Sequence, residues 1–125
     1  MQPKTRLHSF YVGMMANKAL RIQDLLGLIH GLYDPGLAED WDNVGLQVGD
    51  LTAPLKRVMV SLDPSLPAVQ AARDAGAQAL VTHHPLLFRP IKRLTPDDAV
   101  GKTLWQAVQS GVAVLIAHTN LDSAE

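Results

Sequence analysis

A chain of 125 residues is long enough for one ordinary domain and too short for two. Its formal net charge of −1, with 47% hydrophobic and 18% charged residues, gives no electrostatic reason to expect nucleic acid or a membrane surface as a partner. Cysteine is absent, which excludes disulfides and thiolate metal sites, so a metal site would have to use imidazole and carboxylate ligands. The apolar run from Phe10 to Ala16 is too short to span a membrane. We therefore expect a cytoplasmic protein whose partner is a small molecule or another subunit.

The first part of the chain predicts one helix and one long irregular connection. Residues 1–17 form an N-terminal extension of uncertain status. Between Asn17 and Leu32, leucine and isoleucine recur at mostly helical spacing, which predicts an amphipathic helix. The stretch YDPGLAEDWDNVGLQVGD follows, and its proline, glycines and acids predict an irregular connection.

From Arg57 onward, short apolar runs alternate with helical patterns. RVMVSLD predicts a buried strand, Pro67 to Gly76 a helix, and AQALVTHH a second strand. After the basic turn FRPIKRLTP, a helix is predicted from Asp97–Asp98 to Gln109, Gly111 ends it, and GVAVLIAHTNLD predicts a third strand. This order indicates an α/β fold, with a parallel sheet of strand–helix–strand units and helices on its faces.

Polar residues follow all three predicted strands, at the edge where ligands bind in parallel sheets. The first strand ends in Asp63, the second in His83–His84, and the third leads into His118 and Asp122. Neighbouring strand residues point to opposite faces, but Pro85 ends the strand and lets both imidazoles serve one crevice. Imidazole and carboxylate together suit Zn, Fe, Mn, Co or Ni. The sequence therefore predicts a site for divalent metal ions.

Alternative roles exist for each of these residues. A histidine pair before a proline can simply end a strand, but with acids at the neighbouring strand ends we favour metal ligands. For Asp63 we favour a structural role, because DPSLPAV resembles a helix start in which Asp63 and Ser65 cap the helix. His118 is a candidate for an extra ligand or for a residue that orients a ligand.

Substrate contacts are predicted on both sides of the crevice. The candidates are Trp41, Asp42 and Asn43 in the acidic loop and Arg89 in the basic turn. Trp41 is also compatible with a core position beneath the loop. Arg89, with Lys92 and Arg93, forms a cluster suited to phosphate, although short charge runs are usually solvated.

Three motifs in order carry a resemblance to a known family. LAEDWDNVGLQVGD, VTHHPLLF and AHTNLDSAE resemble the Nif-three-like family, whose bacterial members are often described as GTP cyclohydrolase 1 type 2 homologues. The resemblance covers roughly residues 18–125. It implies a site for two divalent metal ions with ligands His83, His84 and Asp122, and a homohexameric assembly. GTP cyclohydrolase chemistry is attributed to some members of the family.

The resemblance also implies that the site is larger than this chain. Family members continue beyond the third motif, and a histidine and a glutamate in their second half complete the two-ion site. We therefore expect residues 18–125 to be the N-terminal part of a larger Nif-three-like fold, truncated after the third motif. Three functions remain open: a metal-dependent hydrolase of a nucleotide-like substrate, a non-catalytic metal-binding regulatory or interaction module, and an inactive fragment.

Overall fold

The computed structural model describes residues 8–11, 19–32 and 45–117, and for residues 8–11 and Leu32 it describes the backbone alone. The elements in these ranges are, in chain order, β1 (His8–Tyr11), β2 (Leu20–Arg21), α1 (Ile22–Leu32), β3 (Gly45–Val48), β4 (Pro54–Leu55), β5 (Arg57–Ser61), α2 (Leu66–Asp74), β6 (Ala79–Thr82), α3 (Ala99–Ser110) and β7 (Ala113–Ile116). None of the helices in the described ranges is both long and apolar enough to cross a membrane.

The described strands form a mixed five-stranded sheet and a small two-stranded one. The order in the larger sheet is β1-β5-β6-β7-β3, and β2 pairs with β4 in the smaller. The three central strands, β5, β6 and β7, run parallel, with Val58 opposite Ala79 and Ala79 opposite Ala113. Helices α2 and α3 connect them in sequence. The predicted α/β class and parallel sheet are therefore confirmed.

Antiparallel strands at both edges of the larger sheet were not predicted. β1 pairs with β5, and β3 pairs with β7. β3 lies inside the stretch that the sequence predicted to be irregular. It begins with Gly45, contains Gln47, and shifts its register between Leu46 and Val48, so it lacks the continuous apolar run by which the central strands were predicted.

Helices cover both faces of the larger sheet. Alternate strand residues face opposite sides, as the two-residue period of a strand requires. One face packs with α1 and contributes Val58, Ala79, Ala113 and Leu115. The other packs with α2 and α3 and contributes Met59, Leu80, Val114 and Ile116. This two-sided cover explains why the middle residues of the central strands are apolar.

The ends of α3 were predicted correctly from the sequence, whereas the start of α1 was not. α3 begins after Asp98, whose carboxylate accepts from the Gly101 N–H at 2.7 Å, and it ends at Gly111 with φ 67°, as predicted. α1 was predicted to start at Asn17, but it starts at Ile22. The carboxylate of Asp24 accepts from the Arg21 N–H at 2.8 Å and so fixes the first turn there.

Candidate metal site

Two matched turns follow the neighbouring parallel strands β5 and β6. Ser61 and Thr82, both buried, lie opposite each other in the ladder. The Ser61 hydroxyl donates to the carbonyl of Asp63 at 2.9 Å, and the Thr82 hydroxyl donates to the carbonyl of His84 at 2.7 Å. Because both turns start from the same register and span two residues, they bring Asp63 and His84 together at the carboxyl edge of the sheet.

A short hydrogen bond joins Asp63 to His84. Oδ1 of Asp63 lies 2.6 Å from Nδ1 of His84, and the two side chains are about half exposed. The expected capping role of Asp63 is wrong. Ser65 caps α2 by accepting from the Ala68 N–H at 3.2 Å, while the Asp63 carboxylate bonds the imidazole. One feature of the sequence could have indicated this contact. A hydroxyl residue lies two positions before each partner, Ser61 before Asp63 and Thr82 before His84.

Both histidines lie beyond the end of β6. The sequence placed them at the end of the strand, but the strand ends at Thr82, where the hydroxyl bond to the His84 carbonyl turns the chain. The ring centroids of His83 and His84 are 5.0 Å apart, and the ring planes are inclined by 51°. Because neither residue is part of the strand, alternation of faces does not separate them. The two rings are close enough to serve one metal ion or two neighbouring ions.

Gln47 on β3 holds the segment after the histidines. Its Oε1 accepts from the N–H groups of Leu86 at 2.9 Å and Leu87 at 2.7 Å, and its Nε2 lies 3.4 Å from the Leu87 carbonyl. The sequence offered one signal for this role, a polar residue between Leu46 and Val48, and it was missed. An edge strand thus fixes the backbone that follows His84.

Other predicted site residues lie outside the described ranges. These are Asp122, His118, Trp41, Asp42 and Asn43. The last described residue, Ala117, lies close to the histidine pair. Its N–H donates to the carbonyl of Thr82, the residue before His83, at 3.0 Å. Arg89 is described and lies exposed between β6 and α3. Among the described residues, no three histidine, aspartate or glutamate side chains form a metal-sized cluster.

An open cleft of about 530 Å³ adjoins the Asp63–His84 pair. Pro64 and Pro85, the residues that follow Asp63 and His84, lie in its wall. Asp97, Asp98 and residues of the first turns of α3 up to Thr103 also line it. Its volume is in the range of small-molecule sites.

The donor set fits a transition metal. Neutral imidazole and carboxylate are ligands for zinc and its first-row neighbours. Since Nδ1 of His84 is engaged by Asp63, Nε2 is the nitrogen through which His84 can bind a metal. His83 would supply a second imidazole.

Fold and sequence together place the chain in a family. Residues 20–125 match the model described as Duf34/NIF3 (NGG1p interacting factor 3), so the chain belongs to the DUF34/NIF3 family. The resemblance seen in the three motifs is confirmed.

Individual relatives show how much of such a protein the chain spans. It is 36% identical over 107 residues to the GTP cyclohydrolase 1 type 2 homolog of Clostridium acetobutylicum, covering 86% of this chain and 40% of that relative. The crystal structure of a Bacillus cereus protein related to NIF3 superimposes with a TM-score of 0.80 at 34% identity, over 85% of this chain and 29% of that one. Staphylococcus aureus hypothetical protein SA1388 gives a TM-score of 0.81 at 32% identity, over 84% and 35% of the two chains. The chain thus spans well under half the length of these relatives.

Proposed function

We propose that His83 and His84 are ligands of a dinuclear divalent-metal site in a metal-dependent hydrolase that acts on a nucleotide-like substrate. The observation that carries the proposal is the pair of imidazoles, 5.0 Å apart, at the carboxyl edge of a parallel sheet. Asp122 is the third proposed ligand. Zn, Fe, Mn, Co and Ni are the candidate ions, because all of them accept nitrogen and oxygen ligands.

The chain's own residues would each have a defined task at this site. When bound, the metal ions supply Lewis acidity and activate water for hydrolysis near neutral pH. His83 and His84 hold the ions, and the hydrogen bonds from Thr82 and to Gln47 fix the backbone on either side of the imidazoles. The cleft beside Pro64 and Pro85 would receive the substrate. A hexamer is proposed for the assembled protein.

The substrate class is supported by the relatives. The Clostridium acetobutylicum protein is described as a GTP cyclohydrolase 1 type 2 homolog, which favours a purine nucleotide. Trp41, Asp42, Asn43 and Arg89 remain proposed substrate contacts. Arg89 is exposed and cationic, so it is available to an anionic group of the substrate.

The first test is metal content per chain in purified protein. We expect the wild type to retain a divalent metal after dialysis and the double variant His83→Ala/His84→Ala to lose it. The matched control replaces Arg73 and Asp74 by alanine, because this exposed ion pair on α2 can be removed without touching the site. Equal metal content in the wild type and the histidine variant would refute the site.

Turnover decides what the site does. Metal-loaded protein should convert GTP or a related nucleotide, with formate release as the readout for ring opening, and the histidine variant should not. Metal retention without turnover of any nucleotide or phosphoester would favour a non-catalytic binding module. Absence of metal from the wild type would favour an inactive fragment.

A further inference from the structure

We propose that Asp63 is a positioning residue for the metal site. Its carboxylate accepts the hydrogen bond from Nδ1 of His84 and thereby fixes Nε2 as the metal-binding nitrogen. This inference rests on the proposed function, because it assigns a task to Asp63 at the same site. It replaces the helix-capping role that the local sequence favoured.

Hydrogen bonds fix the main chain at Asp63 and at His84, the two residues that form this contact. The Asp63 carbonyl accepts from the Ser61 hydroxyl at 2.9 Å. The His84 carbonyl accepts from the Thr82 hydroxyl at 2.7 Å, and the His84 N–H donates to the Leu62 carbonyl at 3.0 Å. Exposed ion pairs are usually weak because two mobile side chains must be ordered. Here hydrogen bonds fix the main chain at both residues, which places the two side chains within the 2.6 Å contact.

The chemistry of imidazole explains what the contact does. A neutral imidazole carries one N–H and one lone pair, and either nitrogen can hold the proton. A carboxylate beside Nδ1 selects the form with the proton on Nδ1, since that nitrogen must donate. The lone pair then lies on Nε2, where a metal can bind it. A carboxylate in this position also fixes the orientation of the imidazole ring.

A merely structural ion pair would behave differently from a positioning residue. Asp63 and His84 are about half exposed, so their contact contributes little to the stability of the fold. Removal of a carboxylate that orients a metal-binding histidine typically weakens metal binding by about 10–100-fold. Removal of the Asp63 carboxylate should therefore lower the metal affinity while the free energy of unfolding changes little.

The test compares Asp63→Ala and Asp63→Asn with the wild type, and Asp74→Ala is the matched control. Asp74 is another exposed aspartate with a partner, Arg73, but it lies at the end of α2. Zinc affinity is measured by competition with a chromophoric chelator, and the absorption spectrum of the cobalt-loaded protein reports ligand geometry. We expect Asp63→Ala to weaken zinc binding by about 10–100-fold and to change the cobalt spectrum. Asp63→Asn should be intermediate, because its amide oxygen still accepts from Nδ1, and Asp74→Ala should match the wild type. Unchanged zinc affinity in Asp63→Ala would overturn the proposal.

A metal-free measurement separates this inference from the proposed function. In nitrogen-15 NMR spectra of the metal-free protein, at a pH where the imidazole is neutral, His84 should carry its proton on Nδ1 in the wild type and mainly on Nε2 in Asp63→Ala. If the wild type binds no metal, the proposed function fails, and the NMR result still decides whether Asp63 selects the tautomer of His84. If Asp63→Ala does not fold, Asp63→Leu, which also removes the oxygen acceptor, carries the comparison. The same tautomer in both folded proteins would refute the positioning role.

Discussion

Hydrogen bonds from single side chains determine the geometry of the candidate site. Ser61 and Thr82 are buried hydroxyl residues at equivalent positions of two parallel strands, and each donates to a carbonyl two residues later. One extra or missing residue in either turn would separate Asp63 from His84. The contact between Asp63 and His84 thus depends on two equal turns. These turns lie side by side because β5 and β6 are neighbouring strands.

Gln47 should be essential for the position of the segment after the histidines. In Gln47→Leu, the N–H groups of Leu86 and Leu87 lose their acceptor in a half-buried place. We expect the free energy of unfolding to fall by about 1–3 kcal/mol, measured by urea denaturation, and zinc affinity to fall with it. In the control Gln47→Glu, a carboxylate oxygen still accepts both bonds, so most of the stability should remain. Wild-type stability in Gln47→Leu would show that the segment is held by other contacts.

Val100 provides a test of the cleft that leaves the proposed metal ligands intact. It lines the cleft from the first turn of α3 and is 37% exposed, so a larger side chain can be accommodated without disturbing the core. In Val100→Trp, the indole should occupy part of the cleft and lower kcat/KM for a nucleotide at least tenfold, which is about 1.4 kcal/mol of transition-state binding. Metal content should stay at the wild-type level. Val108→Trp on the exposed side of the same helix is the control. Unchanged kcat/KM in Val100→Trp would place the substrate elsewhere.

Helices are the elements that the sequence predicted best, because their end signals are local. Ser65 and Asp98 begin α2 and α3, and Gly111 ends α3, in each case through a contact with a residue only a few positions away. β3 could not be found in this way. Its partner in the sheet, β7, lies more than sixty residues later, and pairing across that distance leaves no local pattern.

Replacing a glycine by alanine should lower the stability of the protein in α3 and raise it in α1. Gly101 lies in the first turn of α3, where an added Cβ would overlap the carbonyl of Thr95. Gly27 lies within α1, where nothing is within 4 Å of such a Cβ. We expect Gly101→Ala to lower the free energy of unfolding by about 1–3 kcal/mol through overpacking, and Gly27→Ala to raise it by about 0.5–1 kcal/mol through helix propensity. Thermal and urea denaturation measure both. Stabilisation by Gly101→Ala would mean that the Thr95 segment moves freely away from α3.

At the scale of the whole molecule, the site is assembled from segments that are distant in the sequence. It includes Asp63, which follows β5, His84, which follows β6, and Gln47, which lies in β3. The sequence correctly placed Asp63 and the histidines at one edge of a parallel sheet, because such an edge collects the carboxyl ends of its strands. It could not pair Asp63 with His84, since that contact depends on the strand register. The nearby signal of a helix start at Ser65 was stronger, and it led to the wrong role.

Metal binding at this edge should stabilise the whole fold, because the ligands adjoin the centre of the sheet. β6 lies between β5 and β7, and the last residues of these strands, Ser61, Thr82 and Ile116, are buried, so unfolding the sheet must destroy the site. Zinc at 100 times its dissociation constant should add about 2.7 kcal/mol to the free energy of unfolding and raise Tm on the order of 10 °C. Differential scanning calorimetry over a series of zinc concentrations would show Tm rising with the logarithm of concentration. Calcium should have little effect, because it prefers sites built entirely from oxygen ligands. In His83→Ala/His84→Ala the zinc-dependent rise should disappear, and an equal rise in that variant would locate the stabilising zinc away from the histidine pair.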